Sequence, residues 1–321
     1  MDLLTKALTC KICHTAFADD KSFNKHLKQH SLLVVEYWQQ QYPRYDQYDN
    51  SIIKFRNKEQ YLTQEFNNKN NLKHWLEAQP KEVAKVYCSQ ILINRKNTKG
   101  ILSSPSQVEL RSLVSPSIVY FDELFKDNGG YYKLCESLGL ENRFSPIDES
   151  MFTKPHKINN FDKYKIIQDT REQKPLDFSF ATEVGTLKFG DYAFSHSGHS
   201  GNCYFERKSM SDLIGTLSSG YERFCREIER AQAALGYLII IVEEDLNNAL
   251  SFNTLPHVYK TKVSPDYIFH NIRKLCQKYK HIQFLFVRGR TESSRVIEKI
   301  FISSGLHQNF DLQLAYDRKL L

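Results

Sequence analysis

The stretch Gly190-Asp191-Tyr192, followed further on by Glu206-Arg207-Lys208-Ser209-Met210-Ser211-Asp212-Leu213-Ile214, decides how this chain reads. It brings two carboxylates, Asp191 and Glu206, and one ammonium, Lys208, close together in sequence. Glu206 and Lys208 are two residues apart, so on a strand their side chains share one face. Around them, short β-branched runs alternate with helical periodicity from residue 163 onward. The segments 164–168, 184–189, 202–206, 237–243 and 282–287 read as strands, and 208–217, 220–235, 265–279 and 291–303 as helices. That order predicts an α/β layered domain. Carboxylates at adjacent strand ends suit a hard divalent cation, Mg²⁺ or Mn²⁺, with positions left open for a phosphate oxygen and water. Lys208 then lies where it can orient the water or help to deprotonate it.

An acidic residue, a gap and then Glu-x-Lys is the pattern of the PD-(D/E)xK nucleases. The longer run, with Asp169-Thr170-Arg171-Glu172 directly after the apolar residues Tyr164–Ile167, resembles the XPF-type structure-specific nuclease family. Leu238–Glu244 resembles that family's next core strand, and the likeness spans about residues 163–305. The form Gly220-Tyr221-Glu222-Arg223-Phe224 looks like bacterial and phage proteins with this domain, since eukaryotic and archaeal members put Arg directly after the Gly. The resemblance implies a restriction-endonuclease-like fold, a central mixed sheet flanked by helices. It implies a Mg²⁺-dependent DNA endonuclease acting on branched, flapped or single-stranded DNA in repair, recombination or replication. Carried over residue by residue, Asp191 and Glu206 hold the metal and Lys208 positions the water. Arg207 lends its carbonyl and braces acidic neighbours, and Asp169 completes the acidic cluster. Asp212 either orients Lys208 or Arg207 or is a charge at a helix start. DNA is the implied partner; a homodimer or protein partner through the nuclease domain stays open. Only about fifteen residues follow Ser304, too few for the helix-hairpin-helix pair of many members, and there is no helicase motif. The family's choice of DNA structure is therefore not carried over. The rivals are a non-catalytic zinc-finger DNA-binding or scaffold protein that keeps a nuclease fold, and a finger protein whose partner is another protein. Retention of every acidic motif position favours the enzyme.

The N-terminus carries a second signature. Cys10-x2-Cys13 and His26-x3-His30 are separated by twelve residues. The cysteines suit a hairpin turn, and histidines four apart share a helix face, which together supply four ligands for tetrahedral Zn²⁺. Residues 1–32 resemble the ββα Cys-Cys-His-His zinc finger family, with Phe23 where Leu is usual and Phe17 beside it in the small core. So small a unit needs the metal to fold. The helix positions that would face bases lie near Asp19, Ser22 and Lys25, and a DNA contact, a protein contact or a capping role all stay open.

Between the two signatures, 33–60 reads as a Gln/Tyr-rich linker around Pro43, and 61–150 as a mainly helical region, with helices at 70–78, 81–92, 106–113 and 130–138. Its cluster Arg95, Lys96 and Lys99 is either a phosphate contact, replacing a missing DNA-binding module, or a solvated loop. A second linker spans 151–162, and 306–321 is a tail. After the nuclease motif, Phe224, Ile228, Ala231 and Leu235 form a buried stripe. Arg223, Arg226 and Arg230 form a basic one, read either as a DNA-backbone contact or as a solvated face with Glu222 pairing to Arg226. The Ser/Gly/His stretch 195–202, with His196 and His199, is expected to be inert. A net charge of +7 is compatible with a polyanionic partner, and 41% hydrophobic with 13% aromatic residues excludes global disorder. Seven cysteines, one close pair and five scattered, do not form a disulfide framework. No run approaches the ~18 apolar residues of a membrane span, and no signal h-region opens the chain. A soluble intracellular protein is expected: cytoplasm or nucleoid if bacterial or phage, nucleus if eukaryotic.

Overall fold

The structure, a computed structural model, describes residues 8–46, 49–153, 164–196, 199–256, 258, 261–303 and 306–321. In chain order its elements are β1 (Leu8–Thr9), β2 (Ala16–Phe17), α1 (Asp20–Leu27), α2 (Val34–Gln41), α3 (Lys58–Thr63), α4 (Lys69–Ala78), α5 (Lys81–Lys99), α6 (Gln107–Arg111), α7 (Ile118–Leu124), α8 (Gly130–Ser137) and α9 (Ser150–Thr153). There follow β3 (Tyr164–Asp169), β4 (Ala181–Gly185), β5 (Tyr192–His196), β6 (His199–Lys208), α10 (Met210–Leu217), α11 (Tyr221–Ala233), β7 (Tyr237–Val242), α12 (Leu246–Ala249), α13 (Pro265–Lys278), β8 (Ile282–Phe286), α14 (Arg290–Ile302) and α15 (Leu312–Asp317). They form two compact units, one of residues 1–104 and 113–141, the other of 105–112 and 142–321.

In the first unit, β1 and β2 form an antiparallel hairpin and α1 follows, capped by Asp19. The segment 33–60, expected as a linker, instead carries α2 and part of an aromatic core. Tyr37, Trp38, Tyr42 and Phe55 are buried, and so is Arg44. The Arg44 guanidinium lies 3.7 Å from the centre of the Phe66 ring and donates to the carbonyls of Tyr61 (2.6 Å) and Gln64 (2.7 Å). The composition misleads because tyrosine counts as polar. Here the rings pack inward, with Tyr61 donating to the Tyr42 carbonyl at 2.9 Å and the Tyr37 hydroxyl accepting from the Lys11 amide at 2.9 Å. Helix α5 runs seven residues beyond the expected end at 92 and stops at Gly100, whose φ of 63° suits a glycine helix terminus. Its last turns hold the cluster expected as a phosphate contact or a solvated loop, and the segment is helix rather than loop. Arg95 is only 5% exposed, Lys96 donates to the Leu138 carbonyl (2.8 Å), and Lys99 alone of the three is exposed.

The second unit is built on a six-stranded mixed sheet in the order β4-β3-β5-β6-β7-β8. Strands β3 and β4 are parallel, β5 is antiparallel to both β3 and β6, and β6, β7 and β8 are parallel. Every residue of β7 is buried, the expected state of a parallel strand covered on both faces. Leu238, Ile240 and Val242 pack with residues of α10, α11 and α13; Ile239 and Ile241 pack with α14 and the C-terminal residues. The expected strand at 184–189 is displaced to β4, and β5 was not foreseen. Leu187 and Phe189 are buried but lie in the connection that reverses the chain, so they imitate a strand in sequence. Leu235 leaves the expected buried stripe: it follows the last turn of α11 with φ 56° and is 80% exposed.

The expected tail is also corrected. Leu312, Leu314, Ala315 and Leu321 are buried, and Asp311 accepts from the Gln107 amide at 2.6 Å. Helix α6 thus belongs with the sheet rather than with the middle region. Residues 154–162 of the expected second linker lie outside the described residues, as do Ser197 and Gly198 of the Ser/Gly/His stretch. Among the described residues no helix is long and apolar enough to cross a membrane.

Candidate active site and metal centre

Gly190 explains how Asp191 is placed. Its φ is +73°, and a Cβ there would come within 3.0 Å of the Phe205 carbonyl oxygen and 3.3 Å of the Tyr204 Cβ. Only glycine lets this turn lie flat on β6. The Asp191 amide then donates to the Phe205 carbonyl (2.6 Å), and the Asp169 amide donates to the Asp191 carbonyl (2.8 Å), which pins Asp191 between the ends of β3 and β6. Its Oδ2 accepts from the Arg207 amide at 2.7 Å. Glu206, 7% exposed, pairs through Oε1 with the Lys208 ammonium on the same face of β6. Each carboxylate thus keeps one oxygen without a protein donor among the described residues.

The electrostatics reflect crowding. Burial pushes Asp191 up to about 6, against the Arg207 amide and Lys208. Burial and then the Asp191 charge push Glu206 up to about 7. Burial works against the Lys208 ammonium, but the Glu206 and Asp191 charges outweigh it and hold the group above its ordinary value. Two carboxylates that resist ionising together, each with a free oxygen, fit a hard divalent cation.

Arg207 points to the other face. Its Nε and Nη2 donate to both oxygens of Glu172 (3.0 and 2.9 Å), and its Nη1 to Glu243 (3.0 Å). Arg290 lies 3.7 Å from Glu243 and donates to the carbonyls of Lys174 (2.9 Å) and Pro175 (2.7 Å). Asp169 is fully buried, and both its oxygens are used within the turn. Oδ1 accepts from the Arg171 amide (2.9 Å) and Nε (2.5 Å), and Oδ2 from the Leu187 amide (2.6 Å). Rather than standing open beside the carboxylate pair, it fixes the loop that leads to Gly190. Asp212 does not reach Lys208 or Arg207. It accepts from the Ser209 hydroxyl (2.7 Å) while its amide donates back at 3.1 Å, a helix cap on α10.

Three charged groups near the site had no role in the sequence pattern. Glu243 follows the all-apolar β7, and an acid directly after such a run was the available signal. Arg290, at the start of α14, had none. Glu227, half-buried on α11, adds negative potential at Glu206, Lys208 and Arg171, and was hidden among Arg223, Arg226 and Arg230, which are exposed.

In the first unit, Cys10, Cys13, His26 and His30 converge, with all ligand atoms within 4.8 Å of one another. Cys10 Sγ lies 3.6 Å from His30 Nε2, Cys13 Sγ 3.1 Å from His26 Nε2, and the two Nε2 atoms are 3.0 Å apart. Tetrahedral Zn²⁺ with Zn–S ~2.3 Å and Zn–N ~2.0 Å needs edges of roughly 3.3–3.8 Å; the three separations lie within a few tenths of an ångström of that range, and two thiols with two imidazoles are a donor set compatible with zinc. His26 Nδ1 meets Gln29 Oε1 at 3.0 Å, which leaves Nε2 for the cluster. The Thr15 hydroxyl, first among several hydrogen bonds, draws the Cys13 thiol down to about 6. Among the described residues this is the one group of three or more such ligands, whereas the sheet offers a carboxylate pair. Asp19 and Ser22, two of the expected base-facing positions, are spent on each other: Oδ1 of Asp19 accepts the Ser22 amide at 2.8 Å and Oδ2 its hydroxyl at 2.9 Å.

Comparison with known proteins bears on the sheet unit. XPF from Aeropyrum pernix in complex with DNA, and the same protein alone, are each 21% identical over 44% of this chain, with a TM-score of 0.34. The matched regions are 64% and 66% of those chains, less than two thirds of their length. No curated protein matches. The ERCC4 domain family matches residues 168–300, a segment that holds Asp169, Asp191, Glu206, Arg207 and Lys208, so this part of the chain matches an XPF-type nuclease domain.

Proposed function

We propose that the chain is a divalent-metal-dependent DNA endonuclease. The carrying observation is the pair of half-buried Asp191 and buried Glu206 at strand ends, with one oxygen each undonated and with Lys208 tied to Glu206. Asp191 and Glu206 would hold Mg²⁺ or Mn²⁺, and the bound cation would stabilise the negative charge that develops on the scissile phosphate. The chain's own residues do the rest. The Arg207 amide orients Asp191, and its guanidinium, clamped by Glu172 and Glu243, keeps the end of β6 rigid. Lys208, held charged by Glu206, donates to the attacking water and aims its oxygen at phosphorus; the new P–O bond forms as one ester P–O bond breaks, and the proton the water gives up reaches the leaving oxygen by way of solvent. Asp169 is a positioning residue for the Gly190 turn. In the first unit, Cys10, Cys13, His26 and His30 would hold a structural Zn²⁺.

The substrate class is DNA with single-stranded or branched character. The test is cleavage of end-labelled single strand, duplex, flap, fork and four-way junction by the zinc-loaded protein with Mg²⁺ or Mn²⁺. Cutting of the single strand, flap, fork or four-way junction is expected; the absence of cutting on all five rejects the nuclease reading, and cutting of the plain duplex alone rejects the substrate class.

A further inference from the structure

A carboxylate outside the nuclease motif stands beside the cation site. Glu206 and Lys208 pair in register with Ile240 and Val242 of β7, so the four side chains share one face of the sheet. Helix α11 covers that face: Phe224, Ile228 and Ala231 pack with Leu238, Ile240 and Val242. One flank of α11 is taken by α13. The Lys274 ammonium lies 5.7 Å from the centre of the Tyr221 ring, and Glu229 accepts from the Tyr279 hydroxyl (2.6 Å) and pairs with Lys278 (3.2 Å). Glu227 precedes Glu229 by two residues, about 200° round the helix, so it is turned to the opposite flank. Helix α13 leads into β8, which lies across β7 from β6, so the flank of Glu227 is the one toward β6.

Glu227 is half-buried there. Its charge acts on groups of other elements, Glu206, Lys208 and Arg171. A helix-surface role would pair it with Arg223, one turn before, or Arg230, one turn after. Neither closes on it: among the described residues no hydrogen bond or ion pair holds the Glu227 carboxylate. The protein alone thus sets a partly desolvated negative charge against Glu206 with no donor in return, and a bound cation reverses the sign of that interaction. Charge balance points the same way. Asp191 and Glu206 bring two negative charges and the paired Lys208 takes one back, so a divalent cation would meet a net charge of only one; Glu227 restores the second. The three carboxylates do not close into a group of direct ligands, since among the described residues the Cys/His quartet is the one such group. Mg²⁺ keeps several waters and is held through one or two carboxylates, so a third that stands off acts on its hydration shell.

We propose that Glu227 is the third carboxylate of the cation centre, a positioning residue that accepts from the waters around the ion while Asp191 and Glu206 hold the ion directly. The proposal rests on the reading of Asp191 and Glu206 as the cation site, but its test does not need cleavage. Mn²⁺ is titrated into the full, zinc-loaded chain, and the free ion is followed by electron paramagnetic resonance. E227Q is expected to bind Mn²⁺ roughly tenfold more weakly than the wild type, with an unchanged melting curve in the absence of Mn²⁺. E229Q removes the same charge from the other flank of α11 and should bind within about twofold of the wild type. If E227Q fails to melt cooperatively, E227A takes its place with the same expected loss. Wild-type affinity in the folded Glu227 variant, beside a D191N variant that has lost Mn²⁺, would overturn the proposal and leave the nuclease site standing. An equal loss in E229Q would also overturn it, since any nearby charge would then serve. Wild-type affinity in D191N would reject the cation site itself, and the proposal with it.

Discussion

The two ligand clusters of this chain differ in chemistry and in what holds them. The Cys/His quartet lies within twenty-one residues of sequence, on a hairpin, one short helix and the 3-10 turn that continues it, and needs soft or borderline ligands at tetrahedral spacing. The carboxylate pair joins a turn to a strand, and it is aimed by Gly190, the Arg207 amide and a clamp reaching to Glu172 and Glu243. One cluster would make its own fold by binding metal; the other borrows a fold made by hydrophobic layers. The first should therefore fail structurally when its ions are removed, and the second only functionally.

The largest effect expected is on the second cluster. Glu206→Gln and Lys208→Ala should each lower cleavage roughly 1000-fold while leaving circular dichroism and zinc content unchanged. A residual rate within tenfold of the wild type would remove these residues from the chemistry. Next comes the first cluster. A structural Zn²⁺ contributes on the order of 10 kcal/mol, as much as a whole domain's stability. Stripping zinc, or Cys10→Ser, should red-shift the tryptophan emission, because both tryptophans of the chain, Trp38 and Trp75, are buried in the first unit. The thermal transition of the sheet unit should persist. An unchanged emission would show that the aromatic core stands without the metal.

A smaller effect concerns pH. Asp191 and Glu206 stand at about 6 and about 7 in the fold, against 3.8 and 4.5 ordinarily. Carboxylates raised by folding add stability that is complete below their unfolded values and is lost as pH rises through the folded ones. With zinc retained and no Mg²⁺, the sheet unit should therefore lose stability between about pH 4 and about pH 7, and Asp191→Asn should melt a few degrees higher at pH 8. A lower melting point for that variant would mean that the negative charge stabilises the fold. The smallest effect is at Asp212. Asp212→Ala should cost about 0.5 kcal/mol, because the Ser209 cap of α10 keeps the amide of residue 212 and only the bond from the Ser209 hydroxyl and a first-turn negative charge are lost, and it should change the cleavage rate less than about threefold. A hundredfold loss of rate would return Asp212 to the chemistry.

The same contrast explains what sequence could reveal. Gly190, Asp191, Glu206 and Lys208 are legible because one turn and one strand fix their offsets, so residue types alone determine which side chains share a face. The quartet is legible for a similar reason. Asp169 and Asp212 are not: a carboxylate that caps a turn and one that binds a cation look alike until the donors are seen, here the Leu187 and Arg171 amides for one and Ser209 for the other. Residues 33–60 hid their burial behind tyrosine and glutamine, and Arg95 hid behind a run of basic neighbours although its helix turns it inward. The six-stranded sheet was legible in its parallel half, where β7 and β8 are apolar runs. It was less so at β4, where exposed Thr182, Glu183 and Val184 break the pattern.

The central claim is that one chain holds two independent metal centres of opposite character. It is tested most directly by measuring Mn²⁺ binding by electron paramagnetic resonance and zinc content by elemental analysis, on the wild type, Asp191→Asn and Cys10→Ser. Asp191→Asn is expected to lose Mn²⁺ and keep zinc, and Cys10→Ser to lose zinc and keep Mn²⁺. Wild-type Mn²⁺ binding in a folded Asp191→Asn protein would contradict it.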